Sequence, residues 1–136
     1  MPEVLIRFWH KQDKSFINLH AMGWRFDPSN GQVYIDGMNV TDRVEIVPYT
    51  GVHDDETNTR LFVGSIIEFV ENDIHVVGSV EIEGGRLLLA SNDYDDGYAW
   101  LQDAIENDGD HFWIQGSRYL GNRFENPKLL TGGKAE

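Results

Sequence analysis

The stretch His75-Val76-Val77-Gly78-Ser79-Val80-Glu81-Ile82-Glu83-Gly84-Gly85-Arg86-Leu87-Leu88-Leu89-Ala90 decides the fold class. In its first half Val76, Gly78, Val80 and Ile82 alternate with Ser79, Glu81 and Glu83, the period-two pattern of a strand with one apolar and one wet face. Gly84-Gly85 follows, two residues that both tolerate positive φ, as a tight hairpin turn requires. Arg86 to Ala90 then reads as the returning strand. The same pattern extends outward in both directions.

Upstream, Ile66 to Val70 is a third strand of this group, and Arg43 to Val47 a shorter one ended by Pro48, which has no N–H to give a ladder. A domain boundary is placed there: residues 1–47 form a β-rich N-terminal section, 48–130 a second domain, and 131–136 a flexible tail. Within the first section Val4 to Trp9 turns through Lys11–Lys14 into Ser15 to Leu19, and Trp24–Phe26 pairs with Val33–Ile35 across Asp27-Pro28-Ser29-Asn30-Gly31. Downstream, Phe112 to Ile114 and Arg118 to Leu120 read as closing strands. The exception is Tyr98 to Asn107, where Trp100, Leu101, Ala104 and Ile105 share one side of a helical wheel. Asp95 and Asp96 suit the positive end of such a helix, and Gly109 its termination. This helix is expected to bury Trp100 and Leu101. The fold expected is mainly β: a small antiparallel barrel or roll after a β-rich N-terminal section, with one short helix near 98–107.

Composition narrows the function. The 136 residues are 40% hydrophobic and 12% aromatic, which suits a globular chain, and contain no cysteine, which removes disulfides, thiolate metal sites and cysteine nucleophiles. No apolar run is long enough to span a bilayer and no signal-peptide layout is present, so the expected compartment is the cytoplasm. The net charge of −12 is concentrated: residues 49–110 hold 15 acidic and two basic residues, and Ser91 to Asp110 holds seven acidic and none basic. Such a surface repels polyanions, so neither direct nucleic-acid binding nor an anionic membrane is expected.

Candidate chemistry is thin. Asn92-Asp93-Tyr94-Asp95-Asp96-Gly97 has the oxygens of a calcium loop but the wrong register: with Gly97 at the sixth position, Tyr94 falls at the third and Asp103 at the twelfth. The five histidines, His10, His20, His53, His75 and His111, include no H-x-x-x-H pair. His53-Asp54-Asp55-Glu56 sets an imidazole beside carboxylates, yet neighbours along a chain rarely converge on one point, and a polar surface loop is the reading taken. Glu81 and Glu83 lie on the polar face of one strand, as solvation alone would select. No nucleophile elbow, phosphate loop or dinucleotide fingerprint occurs. No catalytic, metal-binding or cofactor-binding residue is therefore assigned, and no cofactor is expected. Trp9, Trp24, Trp100 and Trp113 can anchor an interface or fill a small β core, and at this chain length most of them are expected in the core.

Three blocks resemble the YopX family of bacteriophage and prophage proteins. Ile6-Arg7-Phe8-Trp9-His10-Lys11 is similar to that family's R-A-W-D-K opening. Tyr49-Thr50-Gly51 with Leu61-Phe62-Val63-Gly64-Ser65-Ile66-Ile67 resembles its Y-T-G…I-Y-x-G-D-I-V, and Leu120-Gly121-Asn122-Arg123-Phe124-Glu125-Asn126-Pro127-Lys128-Leu129-Leu130 its I-G-N-I-x-E-N-P-E-L-L. His10 stands where aspartate is usual, Pro48 where glutamine is common, and Ser65 where the family has aspartate. The resemblance implies an SH3-like barrel in residues 48–130 and brings no catalytic residues. Gly51, Gly64, Gly121 and Asn126-Pro127 would serve as framework. The expected function is a non-enzymatic accessory module of phage origin that binds a host or phage protein. The alternatives are an acidic decoy that occupies a nucleic-acid-binding protein and, third, a metal-dependent hydrolase around His53 or the 92–97 loop. Exposed edge strands in the N-terminal section would also allow copies to pair as a homo-oligomer.

Overall fold

The computed structural model describes residues 6–17, 23–71 and 73–131. Residues 132–136 of the expected tail, His20, and the ends of the first two predicted strands lie outside the described residues, while Thr131 ends a 3-10 turn, Pro127–Thr131. The chain divides into two compact units, residues 1–47 and 48–136. Among the described residues it is built from strands and three short 3-10 turns.

Unit 1 contains the hairpin of β1 (Ile6–His10) and β2 (Ser15–Phe16), in register Trp9↔Phe16 and His10↔Ser15. A three-stranded meander of β3 (Trp24–Asp27), β4 (Gln32–Ile35) and β5 (Met38–Asn39) follows. The predicted turn between β3 and β4 is made by Asp27, whose Oδ1 accepts the Ser29 N–H at 3.0 Å while its carbonyl accepts that of Gly31 at 2.8 Å. Phe8 packs at 5.1 Å from both Trp24 and Phe26, over Val33, Val40 and Val44. Phe8 and Trp9 are both buried, Phe8 with Ile6 in this cluster and Trp9 edge-to-face against Phe16 at 4.9 Å.

β6 (Val44–Asp54) straddles the unit boundary and runs straight through Pro48, where a strand end was expected. Pro48 is tolerated because its position needs an acceptor: its carbonyl takes the Val63 N–H at 2.9 Å. In unit 2 the distal part of β6 pairs antiparallel with β7 (Arg60–Phe62) and parallel with β13 (Phe112–Ile114), which pairs in turn with β12 (Ile105–Asn107). Gly51, at φ +88°, sits where the β6–β7 register shifts between Tyr49 and His53.

The second sheet of this unit has the order β11-β10-β9-β8-β14, from Tyr98–Trp100, Arg86–Ala90, Ile74–Glu83, Ser65–Glu71 and Ser117–Asn122. The alternating stretch from His75 to Ala90 is the β9–β10 hairpin, with Glu83 opposite Arg86 and φ of +60° and +78° at Gly84 and Gly85. Gly78 serves packing: a Cβ there would overlap the Ala90 carbonyl and the Ser91 side chain. Val76, Val80, Leu87 and Leu89 face Val52, Leu61 and Ile114 of the other sheet across one core. The opposite face is not wholly wet, since Ser79, Ile66 and Leu88 are buried on it.

The helix expected over 98–107 does not form. The segment is β11, a 3-10 turn at Gln102–Ala104, and β12. Ten residues barely repay helix nucleation, whereas the ladders of β10 and β13 offer ready backbone partners. Leu101 is buried as expected, but Trp100 is 40% exposed. Among the described residues none of the sheets closes into a barrel. Unit 2 is an open two-sheet roll, in which β11 ends one sheet, β12 ends the other, and a 3-10 turn lies between them.

Two of the family-like blocks meet in this framework. Gly64 N–H donates to Val80 O at 2.7 Å, and its carbonyl accepts the Arg123 N–H at 2.8 Å. Asn122 Oδ1 caps the following turn, accepting from Phe124 N at 3.1 Å and Glu125 N at 2.8 Å.

Candidate functional site

The acidic run after His53 comes apart in three dimensions because β6 alternates. Asp54 turns inward and is 1% exposed. Its carboxylate accepts N–H bonds from Thr57 at 2.8 Å, Thr59 at 2.5 Å and Tyr119 at 3.1 Å, and the Thr57 hydroxyl at 2.8 Å. Burial pushes its pKa up, but the bonds from Thr59, Thr57 and Tyr119 outweigh that and hold it below the ordinary carboxylate value. Asp55 accepts the Gly116 N–H at 2.8 Å, and Glu56 is exposed. Asp54 and Asp55 thus staple the 54–59 turn to β14 and the residue before it.

His53 takes the other face and enters a file of rings. From Phe62 the centroids run 5.6 Å to Tyr49, 6.0 Å to His53, 4.6 Å to His111 and 5.2 Å to Trp113. The rings cover one another, and all five residues are half-buried. The His53 pKa is lowered, chiefly by burial, against a contact of its Nδ1 with Phe112 O at 3.4 Å; His111 alongside lowers it further. The Nε2 of His111 is buried and has no hydrogen-bond partner among the described residues. Two imidazoles meet here that the sequence separates by 58 positions.

The 92–97 loop folds on itself as the β10–β11 connection. Asp93 N–H donates to Ser91 Oγ at 3.0 Å, its carboxylate accepts the Val77 N–H at 3.2 Å, and Gly97 N–H donates to Tyr94 O at 3.0 Å. Asp95 and Asp96 are exposed. Among the described residues no three His, Asp or Glu side chains form a group able to hold a metal ion. The other candidates are dispersed: His10 lies 3.7 Å from Asp13, His75 3.7 Å from Glu68, and Glu81 is bound by Arg123 Nε at 2.9 Å, apart from exposed Glu83.

β11 ends its sheet among the described residues and has binding capacity left over. Gly97 O accepts the Ser91 N–H and Leu101 N–H donates to Leu87 O, so these flanking groups face β10. The antiparallel alternation then directs the N–H and C=O of Tyr98 and Trp100 to the open side of the sheet. Their side chains, 42% and 40% exposed, form an edge-to-face pair at 5.5 Å, and the Arg86 guanidinium lies 4.0 Å from the Trp100 centroid. Sequence reasoning missed this site by placing Trp100 on a helix. The signal was present in Tyr98-Ala99-Trp100, whose alternation after Gly97 also fits a strand.

Solved structures share this fold, which is YopX-like. The yopX protein of Bacillus subtilis shares it at a TM-score of 0.57 and 16% identity, over 98% of this chain and 100% of that one. Protein EF1440 of Enterococcus faecalis shares it at a TM-score of 0.51 and 17% identity, over 94% and 98%. No family model matches the chain, nor does any curated protein sequence. No helix of the described residues is long and apolar enough to cross a membrane.

Proposed function

We propose that this protein is a non-enzymatic module, of phage or prophage origin and acting in the host cytoplasm, that binds another protein through the edge of an open, SH3-like roll. The observation that carries this reading is the exposed Tyr98–Trp100 pair on a strand that ends its sheet, with no further strand paired to its outward side among the described residues. Large rings cost little side-chain entropy to fix and dominate interface energetics, so two of them adjacent at an open edge favour an interface. The test is affinity capture from a bacterial lysate with the full chain and with a Tyr98→Ala/Trp100→Ala variant. The expected outcome is a small set of proteins enriched by the parent and lost with the variant. Identical capture by both, or no enrichment over an unrelated acidic protein, overturns the reading.

The acidic-decoy reading is the second one. It is supported by the seven acidic and no basic residues of Ser91 to Asp110. It requires that the captured partner be a nucleic-acid-binding protein and that short duplex DNA compete for it. Capture insensitive to both salt and DNA disposes of it.

A further inference from the structure

We infer that β11 takes up an extended basic segment of its partner as an added strand of the sheet; this rests on the binding reading above and names the chemistry of the segment. Three observations combine. The N–H and C=O of Tyr98 and Trp100 face outward, a short row of hydrogen-bonding groups in the spacing a neighbouring strand presents. The two rings stand two residues apart on one sheet face, so alternate side chains of an added strand meet them in turn. Arg86 already lies against Trp100, which shows that a guanidinium fits this aromatic surface.

Charge then selects the occupant. The strand is preceded by exposed Asp95 and Asp96 and followed by exposed Asp103 and Glu106. A second copy would bring the same carboxylates against these, and like charges across a strand pair repel. Carboxylates commonly blunt a sheet edge against its own kind. Here they stand beside exposed rings instead of replacing them, so they exclude an acidic strand while attracting one that carries lysine or arginine. With three residues the strand spans about 10 Å, which calls for a segment of about five residues, basic positions alternating with β-branched ones.

The experiment is peptide display against the full chain, with titration of the selected peptides by fluorescence anisotropy. Selected peptides are expected to be basic with β-branched alternation. Their affinity is expected to fall about tenfold or more with Trp100→Ala, and about tenfold between 50 and 500 mM salt. The exposed pair Asp95→Lys/Asp96→Lys is expected to weaken them without altering the unfolding midpoint. N-methylation of alternate backbone amides on one register is expected to abolish binding, and on the other to spare it. Peptides that require Trp100 but are neutral or acidic, or that tolerate N-methylation on both registers, overturn the added basic strand and leave the binding reading standing. Selection that yields no Trp100-dependent peptide overturns the strand, and the lysate capture then decides the binding reading separately.

Discussion

Unit 2 carries two groups of aromatic rings that point away from its core, and they have opposite fates. On β6, β7, β13 and the residue before β13 the rings from Phe62 to Trp113 form an unbroken file: each meets the next within 6.0 Å, and the backbone between these strands is paired. On β11 two rings meet each other and Arg86, while the strand beneath them has one open side. A ring's chemistry does not say which role it takes. What separates them is whether neighbours have already consumed its faces and the backbone below it.

The difference between the two groups can be broken at several points. The largest effect is expected at Asp54, the inward neighbour of His53. Asp54→Ala leaves the N–H groups of Thr57, Thr59 and Tyr119 unanswered and should cost about 3 kcal/mol in urea unfolding. Next, Trp113→Ala opens the self-covered file and should cost about 2 kcal/mol. Trp100→Ala removes only an exposed ring and its guanidinium contact, and should cost about 1 kcal/mol or less. In partner capture the order reverses: Trp100→Ala abolishes enrichment and Trp113→Ala spares it wherever the variant stays folded. Equal behaviour of the two variants in both measurements would erase the distinction between the self-covered file and the open edge.

The smallest effect is expected from pH. The folded chain holds His53 below the ordinary histidine value of 6.5, so as pH falls the unfolded chain takes up this proton first. The contribution of His53 is therefore present in full above about 6.5, and is lost as pH drops through its folded value. Asp54, depressed from 3.8, is charged in both states across that window and gives up its contribution only at lower pH. Unfolding free energy should decline from pH 7.5 to 5 in the parent, and less steeply in His53→Gln. An unchanged slope in that variant would show that His53 is not the group responding.

Much of the framework is legible in the chain. Alternation and turn residues locate β8, β9, β10 and β13 to within a residue or two, and Gly84-Gly85 marks their central hairpin. The site is less legible. Trp100 and Leu101 satisfy a helical wheel and a strand about equally well over so few residues. The choice between them is made by β10, an element at least eight positions away whose ladder a sequence window does not contain. The divergence of His53 from Asp54 follows from strand alternation, but the arrival of His111 beside His53 depends on the parallel pairing of β13 with β6.

The sequence by itself determined that this is a β protein, where most of its hairpins turn, and that its middle section carries dense negative charge, because period-two burial, turn stereochemistry and charge are properties of neighbours along the chain. Tertiary structure alone decided that the roll stays open, that Asp54 becomes a buried anchor, and that Tyr98 and Trp100 stand on a strand that ends its sheet among the described residues. Those outcomes depend on which distant strand supplies or withholds a hydrogen-bonding partner, and that choice is made by packing two sheets around one core.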